Sequence, residues 1–189
     1  MRNKTRENNK YLKSFKLVNK QGFSLMEVMS VLFIVMVGMV GVMSLVLQNI
    51  QVKDINTNRI IAHQLAQEGI ELIRKQRDTN WIVCENAGST DPACWVSNIE
   101  PGFSYKVDFK DEYPAVVSSI ENAKLYKDTS LGYEDMYVHA VTSKETPFYR
   151  MIEIETVNNH SIYITTTVNW DERGQTYSYS AETVLYNWK

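Results

Sequence analysis

From Val28 to Leu47 the chain runs for twenty residues without a charge, VMSVLFIVMVGMVGVMSLVL, apolar on every side of any helix drawn through it. At 1.5 Å per residue such a helix covers about 30 Å, the hydrocarbon thickness of a bilayer. The pattern then changes. Ile50, Ile55, Ile60, Ile61, Leu65, Ile70 and Ile73 recur at roughly helical spacing among Gln, Asn, Asp, Arg and Glu, and no Pro interrupts residues 23–91. This predicts one helix from about Phe23 to Asp78, on the order of 80 Å long. Its first half is apolar all round, and its second half has one apolar stripe to bury. Gly38 and Gly41 each weaken it by about 1 kcal/mol, points of local softness or close packing.

After Trp81 the period shortens towards two. Phe103–Phe109, Phe148–Val157, Ser161–Trp170 and Thr176–Tyr186 read as strands, with Asp171 to Gln175 as a Gly-containing hairpin connection. Segments near Leu125 and at Tyr137–Val141 add strand signals, and Ser118–Ala123 reads as a helical turn. Links too short for regular helical crossovers make the sheet largely antiparallel. The expected fold is α+β: a long N-terminal helix, its first half membrane-spanning, packed through its second half on a C-terminal antiparallel sheet.

Charge adds an orientation. The 189 residues carry a net charge of −2, but residues 1–22 alone hold +6 and the remainder −8. A basic flank before the apolar run, with no positive residue after it until Lys53, keeps the N-terminus in the cytoplasm and exports the chain beyond about residue 50. The acidic body lacks the Lys/Arg surplus of a general nucleic-acid binder. A cleaved signal peptide fits poorly, since its apolar region is about 7–15 residues long and ends in small residues, whereas this run ends Gln48-Asn49-Ile50-Gln51. An uncleaved signal anchor is the competing explanation.

The junction Lys20-Gln21-Gly22-Phe23-Ser24-Leu25-Met26-Glu27-Val28 resembles the prepilin cleavage and methylation segment of type IV pilins and type II secretion pseudopilins. In that family a basic leader ends in Gly, and then come Phe, a small hydroxyl residue, two apolar residues and a single Glu at the head of a long apolar helix. The resemblance implies cleavage between Gly22 and Phe23 on the cytoplasmic side, N-methylation of Phe23 and retention of the helix. It divides the chain into a leader (1–22), a transmembrane or filament-core helix (23–50), an amphipathic continuation (51–80) and a β-rich outer domain (81–189). It implies as partners a prepilin peptidase/methyltransferase, other pilin or pseudopilin subunits, an inner-membrane assembly platform and the membrane itself. It also implies a path from the cytoplasmic membrane to an extracytoplasmic filament or the cell surface. The segment Ile61 to Glu71, with Arg77 to Trp81, further resembles the helix end of minor pilin-like proteins.

Glu27 has two explanations. It is an interfacial acid tolerated near the start of a membrane helix, or an assembly residue that pairs with the new α-amine on another subunit's Phe23. An acid and an amine that both leave water cost far less together than apart. Cys84 and Cys94 bracket a turn-rich loop; two cysteines without neighbouring histidines cannot complete a zinc site, and on the exported side a disulfide is the expected state.

Recognisable enzyme chemistry is missing. There is no G-x-S-x-G, phosphate loop, dinucleotide fingerprint or H-E-x-x-H, and His63, His139 and His160 are far apart in sequence. Glu68 with Glu71 and Arg74 with Arg77 read as a solvated helix face. Asp108, Asp111 and Glu112, or Glu134 and Asp135, supply clustered oxygens of the kind calcium takes, but without EF-hand loop spacing. The aromatics Tyr163, Tyr177, Tyr179, Tyr186, Trp170 and Trp188 read as sheet packing in preference to an adhesive surface. The expected function is therefore a structural filament subunit, a minor pilin or pseudopilin with neither catalytic residue, metal nor cofactor. The alternative is a signal-anchored monomeric extracytoplasmic binding module.

Overall fold

A computed structural model describes residues 22–141 and 144–188; residues 1–21, the bulk of the basic arm, lie outside the described set. The chain divides into two units, one ending at Gln48 and the other beginning at Asn49.

In the first unit, helix α1 begins at Leu25, two residues after the expected start, and no side chain from there to Gln48 is buried. The helix is long and apolar enough to cross a membrane by length and composition. Its first-turn amides are engaged by one carbonyl, since Glu27 N and Val28 N both donate to Ser24 O, at 3.0 and 3.2 Å.

In the second unit the same helix continues to Asn86 and packs on an antiparallel sheet. It thus runs eight residues past the expected end at Asp78, through Trp81 and Cys84. The reason is burial: Trp81 lies in the core, so the helical period is rewarded for another turn, and Gly88, with φ +60°, provides the stop. The buried positions Ala62, Leu65, Ala66, Gly69, Ile70 and Ile73 recur every three or four residues. Ile50 and Ile60, placed on the buried stripe from sequence, are exposed, because the core begins only at Ala62.

The strands are β1 (Phe103–Lys106), β2 (Ala115–Val117), β3 (Lys124–Lys127), β4 (Tyr137–Val138), β5 (Lys144–Asn158), β6 (Ser161–Glu172) and β7 (Gln175–Tyr186). The expected strand at Phe103–Phe109 stops at Lys106 and that at Tyr137–Val141 stops at Val138; β2 carried no sequence signal. The helical turn expected at Ser118–Ala123 is a 3-10 turn over Ile120–Ala123. All pairings are antiparallel. β5 is the hub: β6 pairs along one side, while the other side is shared by β3, opposite Lys144 to Tyr149, and β1, opposite Ile152 to Ile154. β2 extends β1, β4 extends β3, and β7 extends β6. The β6–β7 hairpin turns at Arg173-Gly174, both with positive φ (54° and 77°), the primed turn that matches the twist of its strands.

The core beneath the helix has two apolar clusters. One joins Ile73 and Trp81 of α1 to Ile152, Ile154, Ile162 and Ile164 of β5 and β6. The other joins Ala62, Leu65 and Ile70 to Phe148, Val168 and Trp170. A polar seam separates them on the sheet, Arg150 on β5 and Thr166 on β6, and Gly69 of α1 lies against it.

Candidate functional site

The residues marked by sequence for processing, assembly and the disulfide fall in two places, one in each unit, and a third place is built around a residue that sequence did not mark. Gly22 and Phe23 lie outside any helix or strand just before α1, and Phe23 is 82% exposed. Glu27 lies one helical turn beyond Phe23, and Phe23, Glu27, Val28, Val31 and Leu32 line a shallow concavity of about 280 Å³ on the first unit. The Glu27 carboxylate thus lies in an otherwise apolar concavity beside Phe23.

The second place is the last turn of α1. Cys84 and Cys94 have their sulfurs at disulfide distance, with Cα atoms 6.1 Å apart. The loop between them is held by its own polar groups: Ser89 N donates to Cys84 O, and Ala93 N donates to the Asp91 carboxylate at 2.8 Å. Asn80 bridges from the helix, its amide donating to Trp95 O and Ser97 O at 3.1 and 2.6 Å. Trp81 Nε1 donates to Asn187, and Trp188 meets the Trp81 ring edge-on at 4.6 Å, tying the end of the chain to the same corner.

The third place is the polar seam, which sequence reasoning missed. Arg150 is fully buried; Nη2 donates to Val107 O at 2.6 Å, and Nη1 donates to Leu65 O and pairs with Glu68, each at 3.2 Å. One guanidinium thus links helix, β5 and the residue after β1. The helix comes this close because Gly69 has no side chain: a Cβ there would stand 2.8 Å from Thr166 Cγ2. Arg77 is not on the solvated face expected of it, whereas Glu68 is partly exposed and reaches to the buried Arg150. Arg77 is buried with its guanidinium 4.5 Å from the Trp81 ring centroid, while Glu71 and Arg74 lie on the exposed face expected of them and form an ion pair there. The signals were present in sequence: an Arg at the inward parity of the Phe148 to Ile154 strand, and a Gly inside a helical stripe.

Beside the seam, His139 Nδ1 donates to Lys124 O at 3.0 Å, leaving Nε2 buried without a hydrogen-bond partner among the described residues. Burial first, and the positive Arg150 second, lower its pKa to about 4. The acids considered for calcium are engaged elsewhere. Asp108 accepts from Lys110 N and His139 N, Asp111 accepts from Asp108 N, and Asp135 pairs with Lys127. Asp128 pairs with Lys110 and accepts from the amide and hydroxyl of Ser130, which hold its carboxyl well below the usual range. Among the described residues no three His, Cys, Asp or Glu side chains converge as a metal site. These carboxylates order loops. Trp170 is buried and Tyr177 and Tyr179 are packed on the core, whereas Tyr186 and Trp188 are exposed.

No protein-family model, no curated protein and no solved structure matches the chain.

Proposed function

We propose that the chain is a structural subunit, a minor pilin or pseudopilin, of a type IV pilus-like or type II secretion filament. In this reading a prepilin peptidase cleaves after Gly22 and methylates Phe23, and the mature subunit passes from the cytoplasmic membrane through an assembly platform into a filament with other subunits. The observation that carries the reading is the position of the Gly22-Phe23 junction. It precedes the apolar run, and that run is continuous, within one helix, with the turns that pack under the sheet. A cut at this junction removes only the basic arm and keeps both halves of α1. A cut after the apolar run, as for a signal peptide, discards the first half.

The deciding experiment is mass spectrometry of the N-terminal peptide from the membrane fraction. The expected chain starts at Phe23 with one added methyl on its α-amine. A start at Met1, or anywhere beyond residue 45, overturns the reading.

Glu27 acquires a role in this scheme. Opposite charges about 4 Å apart attract by several kcal/mol at an effective dielectric near 20, enough to offset desolvation only when the pair meets directly. A subunit displaced along the bundle uses its Glu27 to capture a neighbour's α-amine and so sets the axial register. Glu27→Ala is expected to leave insertion and cleavage intact while sharply reducing incorporation, measured by immunoblotting sheared filaments against the membrane pool. Incorporation at the wild-type level would return Glu27 to a tolerated interfacial acid.

A further inference from the structure

The sheet has three open margins, and they are not alike. β2 is three residues long and β4 two, whereas β7 has twelve and, among the described residues, pairs only with β6. The β6–β7 ladder runs from Ser161↔Tyr186 to Glu172↔Gln175 without a register shift. β7 contains no Pro, Lys or Arg, and Glu182 is its one charge. Short strands, bulges, prolines and lysines are the devices that keep open edges from recruiting other chains. The two short margins use the first of them; β7 uses none.

The orientation of its backbone groups is fixed by the hairpin. A two-residue turn makes Glu172 and Gln175 a hydrogen-bonded pair. In the same ladder Asn187 N donates to His160 O at 2.7 Å, so the odd-numbered residues bond to β6. The even-numbered residues Thr176, Ser178, Ser180, Glu182, Val184 and Tyr186 therefore present N–H and C=O along the open edge. All but Val184 are exposed.

We propose that this edge is completed by an extended strand from a different polypeptide. The exclusion of a second copy rests on the membrane-anchored reading of α1, under which copies in one membrane share the same helix sense. Antiparallel pairing of two β7 strands requires a two-fold axis perpendicular to the sheet, which reverses one α1 relative to the other. Parallel pairing sets an even residue of one strand against an odd residue of its mate, which an exact two-fold along the strands cannot supply. Head-to-tail copies in the same sense bring β2 or β4 to the edge, three or two residues against twelve. No exact two-fold and no same-sense stacking of copies covers β7.

The edge also specifies the partner's chemistry. On the helix side the added strand meets Tyr177, Tyr179 and Leu185, which are packed on or buried in the core. On the outer side it meets the hydroxyls of Thr176, Ser178 and Ser180 and the Glu182 carboxylate, which accepts from Tyr163 OH. The fitting segment has six or more residues without Pro at the bonded positions. It is apolar at alternate positions and carries Lys or Arg opposite Glu182.

The test uses the full-length chain in its own cells with the photo-crosslinking residue p-benzoylphenylalanine at Ser178 or Ser180, and at Thr165 in mid-β6 as control. The expected result is that Ser178 and Ser180 each give an adduct with the same other protein, at sites two residues apart in one segment, and that Thr165 gives at least tenfold less. In the Ser178 probe background, Ser180→Pro removes an N–H that faces the open edge and bonds nothing in β6. It is expected to cut the adduct at least tenfold with the Cys84–Cys94 pair still closed. An adduct between two copies of this chain, adducts scattered over unrelated sites, or no adduct would each overturn the proposal. The mature N-terminus is read from the same sample. A start other than Phe23 counts against the filament reading, whereas the adduct pattern alone decides the edge.

Discussion

The two stretches of α1 are one helix chemically bonded end to end, yet they obey different rules. Up to Gln48 no side chain is buried, and Gly38 and Gly41 have nothing within 4 Å of where a Cβ would sit. Beyond Ala62 the helix is read residue by residue: Gly69 has Thr166 against it, Leu65 lends its carbonyl to Arg150, and Trp81 is held by Asn187. The first stretch needs a property, apolarity, that many sequences share. The second needs particular atoms in particular places, so single substitutions break it.

The contrast is sharpest at Arg150. Arg150→Ala is expected to destabilise the unit by about 3–5 kcal/mol, because it strands two buried carbonyls and leaves Glu68 without its buried partner. Chemical denaturation of the full chain in detergent, monitored by tryptophan fluorescence, measures it. A polar-to-apolar exchange in the first stretch such as Ser44→Ala changes the same midpoint by less than about 0.5 kcal/mol.

Removing the covalent closure at the end of the anchored stretch ranks next. Cys84→Ser with Cys94→Ser is expected to cost about 2.5 kcal/mol in the chain-entropy account of a ten-residue loop. Non-reducing peptide mapping of the wild-type chain is the companion measurement, and two alkylatable thiols there would contradict a closed pair.

Acid probes the seam from its other side. The folded-state pKa of His139 is about 4, below its ordinary 6.5. Its folded form therefore prefers the neutral ring: the shift makes no difference above pH 6.5, and stability is lost as pH falls from 6.5 towards 4, because the unfolded chain takes up the proton first. The loss amounts to about 2 kcal/mol by pH 5. His139→Gln is expected to flatten this part of the pH profile, as measured by denaturant midpoints at about pH 7, 6 and 5; an unchanged slope would assign the acid sensitivity elsewhere.

The smallest effect compares glycines. Gly69→Ala is expected to cost about 1 kcal/mol net, the clash with Thr166 exceeding the gain in helix propensity. Gly38→Ala meets no contact and is expected to be neutral or slightly stabilising for the helix. Thermal melts should fall for Gly69→Ala and hold or rise for Gly38→Ala; a comparable fall in both would remove the distinction between the stretches.

Patterns that repeat along the chain are decided by local physics, and these the sequence carried by itself. A twenty-residue uncharged run can only be a buried or membrane-length helix. The alternation in Phe148–Val157 and Ser161–Trp170 made strands, Asp171 to Gln175 made a hairpin, and the α+β arrangement came from helix before strands. The Gly22-Phe23 junction and Glu27 are likewise read from sequence, since the cut and the pairing proposed for them lie outside one folded chain. Tertiary structure decided everything that depends on meetings between distant residues. Arg150 sits 85 residues from Leu65 and 43 from Val107, and although the parity of its strand turns it inward, nothing in that strand names the carbonyls it meets there. The end of α1 moved from Asp78 to Asn86 because Trp81 found a core built from strands far along the chain, a reward that helical propensity at residues 79–86 does not contain. Which edge of the sheet stayed open was also settled there, because a strand's length is written in sequence but its neighbours are chosen by the fold.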